Sequence, residues 1–168
     1  MAKISRRVSY REFAKDKFEE VVVKVNRCAT VVKGGRRFSF SAIVVIGNKN
    51  GVAGIGFGKA NEVPPAVEKA VKNAQKNLFH FPILNDSVPH EILGHFGASR
   101  VKLIPAFPGT GIIAGGTVRA LMEMAGYKDI LTKAYGSTNP SNLIKAALDG
   151  LMNLRTKEEV SQLRGVSV

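Results

Sequence analysis

From residue 38 to residue 46 apolar and small side chains run almost without interruption, and alternation divides them into two faces. Phe38, Phe40, Ala42, Val44 and Ile46 fall on one side of a strand, Ser39, Ser41, Ile43 and Val45 on the other. Gly47-Asn48-Lys49-Asn50-Gly51 follows, rich in residues that tolerate positive φ, so residues 52–59 are predicted to return antiparallel. That return strand carries Gly54, Gly56 and Gly58 on one face and Ala53, Ile55, Phe57 and Lys59 on the other. Each such glycine costs roughly 0.5–1 kcal/mol against alanine. Three in register imply close approach by another backbone or a flat ligand, or else a bulged strand beneath a neighbouring element. Residues 18–25 supply a further strand, and residues 26–37 read as a basic loop with Gly34-Gly35 at its tip.

Asn61-Glu62-Val63-Pro64-Pro65 reads as a helix start, with a capping-type Asn and prolines in the first turn. Val67, Val71, Ala74 and Leu78 then recur at helical spacing as the stripe for the sheet. Lys69, Lys72 and Lys76, with Asn73, line another face. The order to this point is β-β-β-α. Residues 81–89 hold two prolines and several turn formers and mark a boundary. Beyond it come strands at 91–96 and 100–105, a glycine-rich turn over 108–116, and a helix whose Val118, Leu121, Met122 and Ala125 share a face, stopped by Gly126. A strand over 127–134 follows. Asn139-Pro140 opens a second helix with Leu143, Ile144, Ala147, Leu148 and Leu151 facing the core, and Thr156-Lys157-Glu158-Glu159 has the capping-box pattern of a last short helix running towards Gly165. The fold class expected is α+β.

Charge changes this picture. Between Glu20 and Glu62 no acidic residue occurs, while Lys24, Arg27, Lys33, Arg36, Arg37, Lys49 and Lys59 are all present. An ordinary solvated surface intersperses both signs, so an extended anion is the expected partner, with the lysines at 69, 72 and 76 adding a second stripe. Residues 1–81 hold 16 Lys and Arg against 6 Asp and Glu; residues 82–168 hold 9 against 7. A basic half joined to a nearly neutral one implies that one holds a polyanion and the other packs against protein. A membrane is disfavoured as that polyanion, because the cations sit on strands and loops and no apolar run approaches ~18 residues. The single Cys28 excludes an intrachain disulfide and fits a reducing compartment. Residues 1–17, with Arg6, Arg7 and Arg11 and little to bury, read as a mobile basic arm.

Three motifs point towards other chemistry and fail on geometry. His90-Glu91-Ile92-Leu93-Gly94-His95 has one residue too many for a zinc-protease helix, placing its imidazoles about 140° apart. Gly109-Thr110-Gly111-Ile112-Ile113-Ala114 fits a dinucleotide fingerprint, with Asp129 downstream, but Pro108 interrupts the strand that should feed it and ~87 residues cannot hold that domain. The Gly111–Thr117 run lacks the lysine of a phosphate loop. No nucleophile motif, metal set, cofactor or small-molecule substrate is indicated, so an enzyme is not expected.

Five blocks are also familiar in order: Val25-Asn26-Arg27, Val32-Lys33-Gly34-Gly35-Arg36-Arg37-Phe38-Ser39-Phe40, Gly54-Ile55-Gly56-Phe57-Gly58-Lys59-Ala60, Gly109-Thr110-Gly111-Ile112-Ile113-Ala114-Gly115-Gly116 and Ala134-Tyr135-Gly136-Ser137-Thr138-Asn139-Pro140. Between about residues 18 and 165 the chain strongly resembles the family of the fifth protein of the bacterial small ribosomal subunit. The resemblance implies a basic arm at 1–17, a β-β-β-α domain similar to a double-stranded-RNA-binding fold at 18–81, and a β/α sandwich domain with a left-handed β-α-β crossover and a short C-terminal helix at 82–168. It implies a structural, non-enzymatic protein of the cytoplasmic ribosome. Such a protein binds ribosomal RNA between body and head, contacts the fourth and eighth small-subunit proteins, lies near the path by which messenger RNA enters, and affects decoding accuracy. By motif match Arg27, Lys33, Gly34, Gly35 and Arg36 would carry RNA contacts in a loop that adjoins the spectinomycin site, and Arg119 would meet the fourth protein. Where the family often has Ser-Lys this chain has Ala29-Thr30, one loop cation fewer. The competing class is a free-standing RNA-binding regulator, and a nucleotide-dependent enzyme is a distant third.

Overall fold

The structure, a computed structural model, describes residues 6–10, 13 and 17–165. Strands Arg7–Val8 (β1), Glu19–Val32 (β2), Gly35–Gly47 (β3), Val52–Ala60 (β4) and Leu78–His80 (β5) form one antiparallel sheet in the order β1-β5-β4-β3-β2, with helix Val63–Lys76 (α1) across one face. Strands Ile92–Phe96 (β6), Ser99–Pro105 (β7), Ile112–Ile113 (β8) and Ile130–Gly136 (β9) form a second sheet in the order β6-β7-β9-β8. Helix Gly116–Ala125 (α2) joins β8 to β9, which run parallel, and helices Pro140–Asn153 (α3) and Lys157–Arg164 (α4) complete the chain.

The first correction concerns residues 26–37, which are not a loop. Val32 pairs with Gly35 and Thr30 with Arg37, leaving only Lys33-Gly34 as a two-residue turn between β2 and β3. The segment looked like a loop because it shows no apolar alternation. It projects beyond both cores, so neither face had to be apolar, and the backbone ladder alone fixes it as strand.

The glycine face of β4 is explained by α1. A Cβ at Gly56 would collide with the Ala70 carbonyl oxygen and stand 2.5 Å from the Ala74 nitrogen; one at Gly58 would meet Ala66 and Ala70 in the same way. The close neighbour is therefore a helix backbone. The absence of side chains on the strand lets the helix sink until Ala66, Ala70 and Ala74, all fully buried, touch it. This corrects the stripe read from sequence: Val67 and Val71 are only half-buried flanks, and Leu78 belongs to β5. The N-cap is Glu62 rather than Asn61, and its side chain makes no capping hydrogen bond.

The other face of the first sheet is also covered. Ile43, Val45 and Ala53 join Val101, Leu103, Leu121, Ile130 and Ile144 in one core, so the two sheets share their interior. Helix α2 stands between them, which is why Ala120 and Met124 are buried along with the four residues expected to face the core. The β3–β4 turn is docked onto the end of that helix, Lys49 N donating to Met124 O at 3.0 Å and Gly51 N to Ala125 O at 2.8 Å. Gly126 stops α2 at φ 96°, and Asn139 accepts from Ser141 N at 3.2 Å to cap α3.

The strand expected at 127–134 lies at 130–136 instead. Tyr127 is buried, donates to Pro82 O at 3.0 Å, and is held protonated far above the ordinary tyrosine range by desolvation. The segment expected as a free arm is also corrected for two of its three arginines. Arg7 and Val8 pair with Phe79 and Leu78, while Arg6 is buried, donating to Leu154 O and to the Glu159 carboxylate at 3.0 Å. That same carboxylate completes the Thr156 capping box, accepting from Thr156 N at 2.9 Å. Arg11 lies outside the described residues.

Candidate nucleic-acid interface

The hairpin β2–β3 is where the acid-free run becomes a shape. β4 pairs with β3 only as far as Phe40, so Cys28–Val32 and Gly35–Ser39 stand out as a two-stranded ribbon. Five residues per strand at ~3.4 Å carry it roughly 17 Å beyond the sheet. Every residue from 29 to 38 is exposed, Val31 at 76% and Phe38 at 45%. Apolar side chains so placed on a charged ribbon remain open to solvent.

Strand alternation sorts the cations onto two faces. Arg27 and Arg36 lie on the α1 side, where the Arg27 guanidinium sits 3.7 Å over the Phe38 ring, a stacked pair that leaves the planar cation presented outward. Lys24, Arg37 and Lys59 belong to the opposite side, with Lys59 across from Ser41. Lys33 is in the turn. Beside it Gly34 has nothing within 4 Å of where a Cβ would stand, and Gly35 adopts φ 148°, a conformation that side-chain-bearing residues rarely take. The tip is bare backbone with cations on either hand.

Helix α1 adds to this surface along the open edge of β4. Asn73 Nδ2 donates to Phe57 O at 3.0 Å and Lys69 Nζ to Lys59 O at 3.5 Å, so side chains of the lysine-bearing face occupy carbonyls that no neighbouring strand reaches. Lys72 and Lys76 are exposed farther along the helix.

Lys49 does not belong to the group. It lies in the β3–β4 turn, at the far end of the sheet from the tip, and its ammonium is 2.6 Å from Glu19. Among the described residues it is the only one of the seven cations in an ion pair. Sequence spacing could not separate them, because nothing in a linear run reveals which turn folds back on an acid 30 positions earlier.

The motifs set aside on spacing have structural partners. His90 uses both ring nitrogens on backbone, Nδ1 at 2.9 Å from Glu91 O and Nε2 accepting from Arg155 N at 3.1 Å, while His95 lies in β6. Asp129, buried, accepts from Gly111 N at 2.8 Å and so ties the glycine-rich turn to β9. Arg119 is exposed on α2, with Nη2 3.3 Å from Ile112 O.

Two family models match the chain, one described as Ribosomal protein S5, N-terminal domain, over residues 18–82 and one as Ribosomal protein S5, C-terminal domain, over residues 94–164. A protein of Rhodopirellula baltica, named small ribosomal subunit protein uS5, is 58% identical over 146 residues, covering 87% of this chain and 82% of its own. Its namesake in Thermotoga neapolitana is 51% identical over 158 residues, covering 94% and 89%, and that of Syntrophobacter fumaroxidans is 57% identical over 147 residues, covering 88% and 89%. With both halves matched in order, the chain belongs to the ribosomal protein S5 family.

Proposed function

We propose that this chain, a structural and non-enzymatic protein of the small ribosomal subunit, grips ribosomal RNA with its projecting hairpin. The observation that carries the reading is the ribbon itself, exposed over residues 29–38 and free of carboxylates. Double-stranded RNA presents phosphates and 2′-hydroxyls across its wide, shallow minor groove, where exposed Lys and Arg side chains can meet them. Arg27, Lys33, Arg36 and Arg37 with Gly34 and Gly35 are its tip contacts, supported by Lys24, Lys59, Lys69, Lys72 and Lys76. Residues 18–81 are thus the RNA-holding unit and 82–168 the one that meets neighbouring proteins, the fourth and eighth of the subunit by family likeness. From the same likeness come a position between body and head, proximity to entering messenger RNA and to the spectinomycin site, an influence on decoding accuracy, and a cytoplasmic location.

The test is cosedimentation with small ribosomal subunits through a high-salt cushion. The protein is expected in the pellet. A protein that stays at the top while still binding RNA would be the free-standing regulator instead.

Gly34→Asp separates reach from folding. Space around position 34 is open, so the free protein should keep its melting temperature within roughly 1–2 °C. In the subunit the added carboxylate faces phosphates, and like-charge repulsion should alter spectinomycin sensitivity or head movement while the protein still assembles. Unfolding of the isolated variant would mean that the glycine serves only the turn.

Arg119→Leu tests the second unit. An exposed helical change of this kind is usually worth under ~0.5 kcal/mol, so stability and RNA affinity should hold while misreading in a reporter assay changes. A loss of RNA affinity equal to that of a hairpin variant would show that the two units do not divide the work.

A further inference from the structure

The second sheet has one uncovered face. Helices α2 and α3 pack on the side bearing Val101, Leu103 and Ile130, with Gly94 so close to α3 that a Cβ there would strike the Ala146 carbonyl oxygen. The residues between them in each strand point the other way, and among the described residues no element lies over them. Register assigns Arg100 opposite Tyr135, Lys102 opposite Lys133, and Ile104 opposite Leu131 to this outer face.

Two features of the face are unusual for mere solvent exposure. Lys102 and Lys133 stand directly opposite on neighbouring antiparallel strands, an arrangement in which like charges repel. Glu91, the one carboxylate engaged here, hydrogen-bonds Lys102 at 2.6 Å and raises its pKa, leaving Lys133 and Arg100 without an acid among the described residues. Beside them Tyr135 lies 48% exposed, a flat ring next to two cations on a rigid strand. Leu93 and Leu131 border the stripe, 53% and 38% exposed.

We propose that this outer face is a second RNA-contact surface, in which Arg100, Lys102 and Lys133 meet phosphates and a base of an unpaired nucleotide stacks on Tyr135. This rests on the reading of the protein as an RNA binder and moves part of that binding into the half taken above as protein-facing. A phosphate between Lys102 and Lys133 turns their repulsion into attraction to a shared anion, and an aromatic ring on a sheet is the platform that single-stranded bases use. The sheet therefore reads unpaired RNA, while the hairpin holds a duplex.

The experiment uses the whole protein assembled with small-subunit ribosomal RNA. Ultraviolet cross-linking followed by mass spectrometry should find a nucleotide adduct on the peptide containing Tyr135, alongside adducts on the hairpin. Arg100→Gln with Lys133→Gln should lower the log-log salt slope of binding by roughly 1.4–1.8, and Tyr135→Ala should weaken binding about tenfold while Tyr135→Phe, which keeps the ring, should not. Adducts confined to the hairpin, or a protein cross-linker joining Lys133 to a neighbouring ribosomal protein, would overturn the second surface and leave the hairpin reading intact. A protein with no adduct anywhere and no salt-dependent binding would overturn both.

Discussion

Gly56→Ala is expected to destabilise the free protein by about 3 kcal/mol, the upper part of the range for forcing atoms into a packed interior. The reason is the absence of any flexible neighbour. The new methyl group would meet the Ala70 carbonyl, the Ala74 nitrogen at 2.5 Å and the Ala74 Cβ at 2.9 Å, all fixed in the first sheet's helix. Relief requires α1 to lift as a body, uncovering Val44, Ile46 and Leu78 beneath it. For a chain of this length 1 kcal/mol moves the melting temperature by roughly 2–4 °C, so a fall of about 6–12 °C should be seen by calorimetry. A fall below about 2 °C would show that the helix rides loosely over the glycines, and the account of their role would fail. The comparison with Gly34→Asp is instructive, since the larger change at the tip is expected to cost almost nothing in the free protein.

The other large effect is on binding. Changing Arg36 and Arg37 together to Gln should reduce affinity for the RNA site roughly a hundredfold, each arginine–phosphate contact supplying about 1.5 kcal/mol. The log-log salt slope should fall by roughly 1.4–1.8. Both side chains are on the exposed part of the ribbon, so folding is untouched. The hairpin register adds a sharper test, because Arg36 pairs with Val31 and Arg37 with Thr30 and the two therefore point to opposite faces. If RNA embraces the ribbon, each single variant loses about half of the effect. If one single variant reproduces the whole, RNA lies against that face alone. An unchanged slope in the double variant would mean that both arginines merely face water.

Much of this architecture was legible in the sequence wherever an element had to satisfy a local rule. The Thr156 capping box, the Asn139 cap with its proline and the Gly126 stop each answer to a few neighbouring residues, and each is found where expected. Elements defined by distant partners were not legible. β1 and β5 are two and three residues long and exist because they pair with each other and, through β5, with β4. Helix α2 buries two faces because both sheets press on it, and a single stripe cannot announce two neighbours. The buried stripe of α1 differs from the one its valines suggest for a related cause: valines outrank alanines in apolarity, whereas the depth set by three facing glycines favours the smaller side chain. For the candidate surface, the acid-free run falls largely on the ribbon and its supporting strands. It could not show that Lys49 folds back to Glu19, or that the ribbon is strand to its tip.

The Arg6 contact has a consequence for the order in which the polypeptide can mature. Arg6 leaves the site of synthesis well before its partners, Leu154 and Glu159, which follow about 150 positions later. At ~5–20 residues per second that interval is on the order of 8–30 s. Throughout it the buried place of Arg6 does not exist, and β1 is held by its two pairs with β5 and by Arg7, which donates to Lys76 O and Asn77 Oδ1. So few contacts cannot offset the entropy of ordering the segment. The segment around Arg6 is therefore accessible to enzymes and chaperones until α4 emerges, and closure of Arg6 onto Glu159 can come only with that helix.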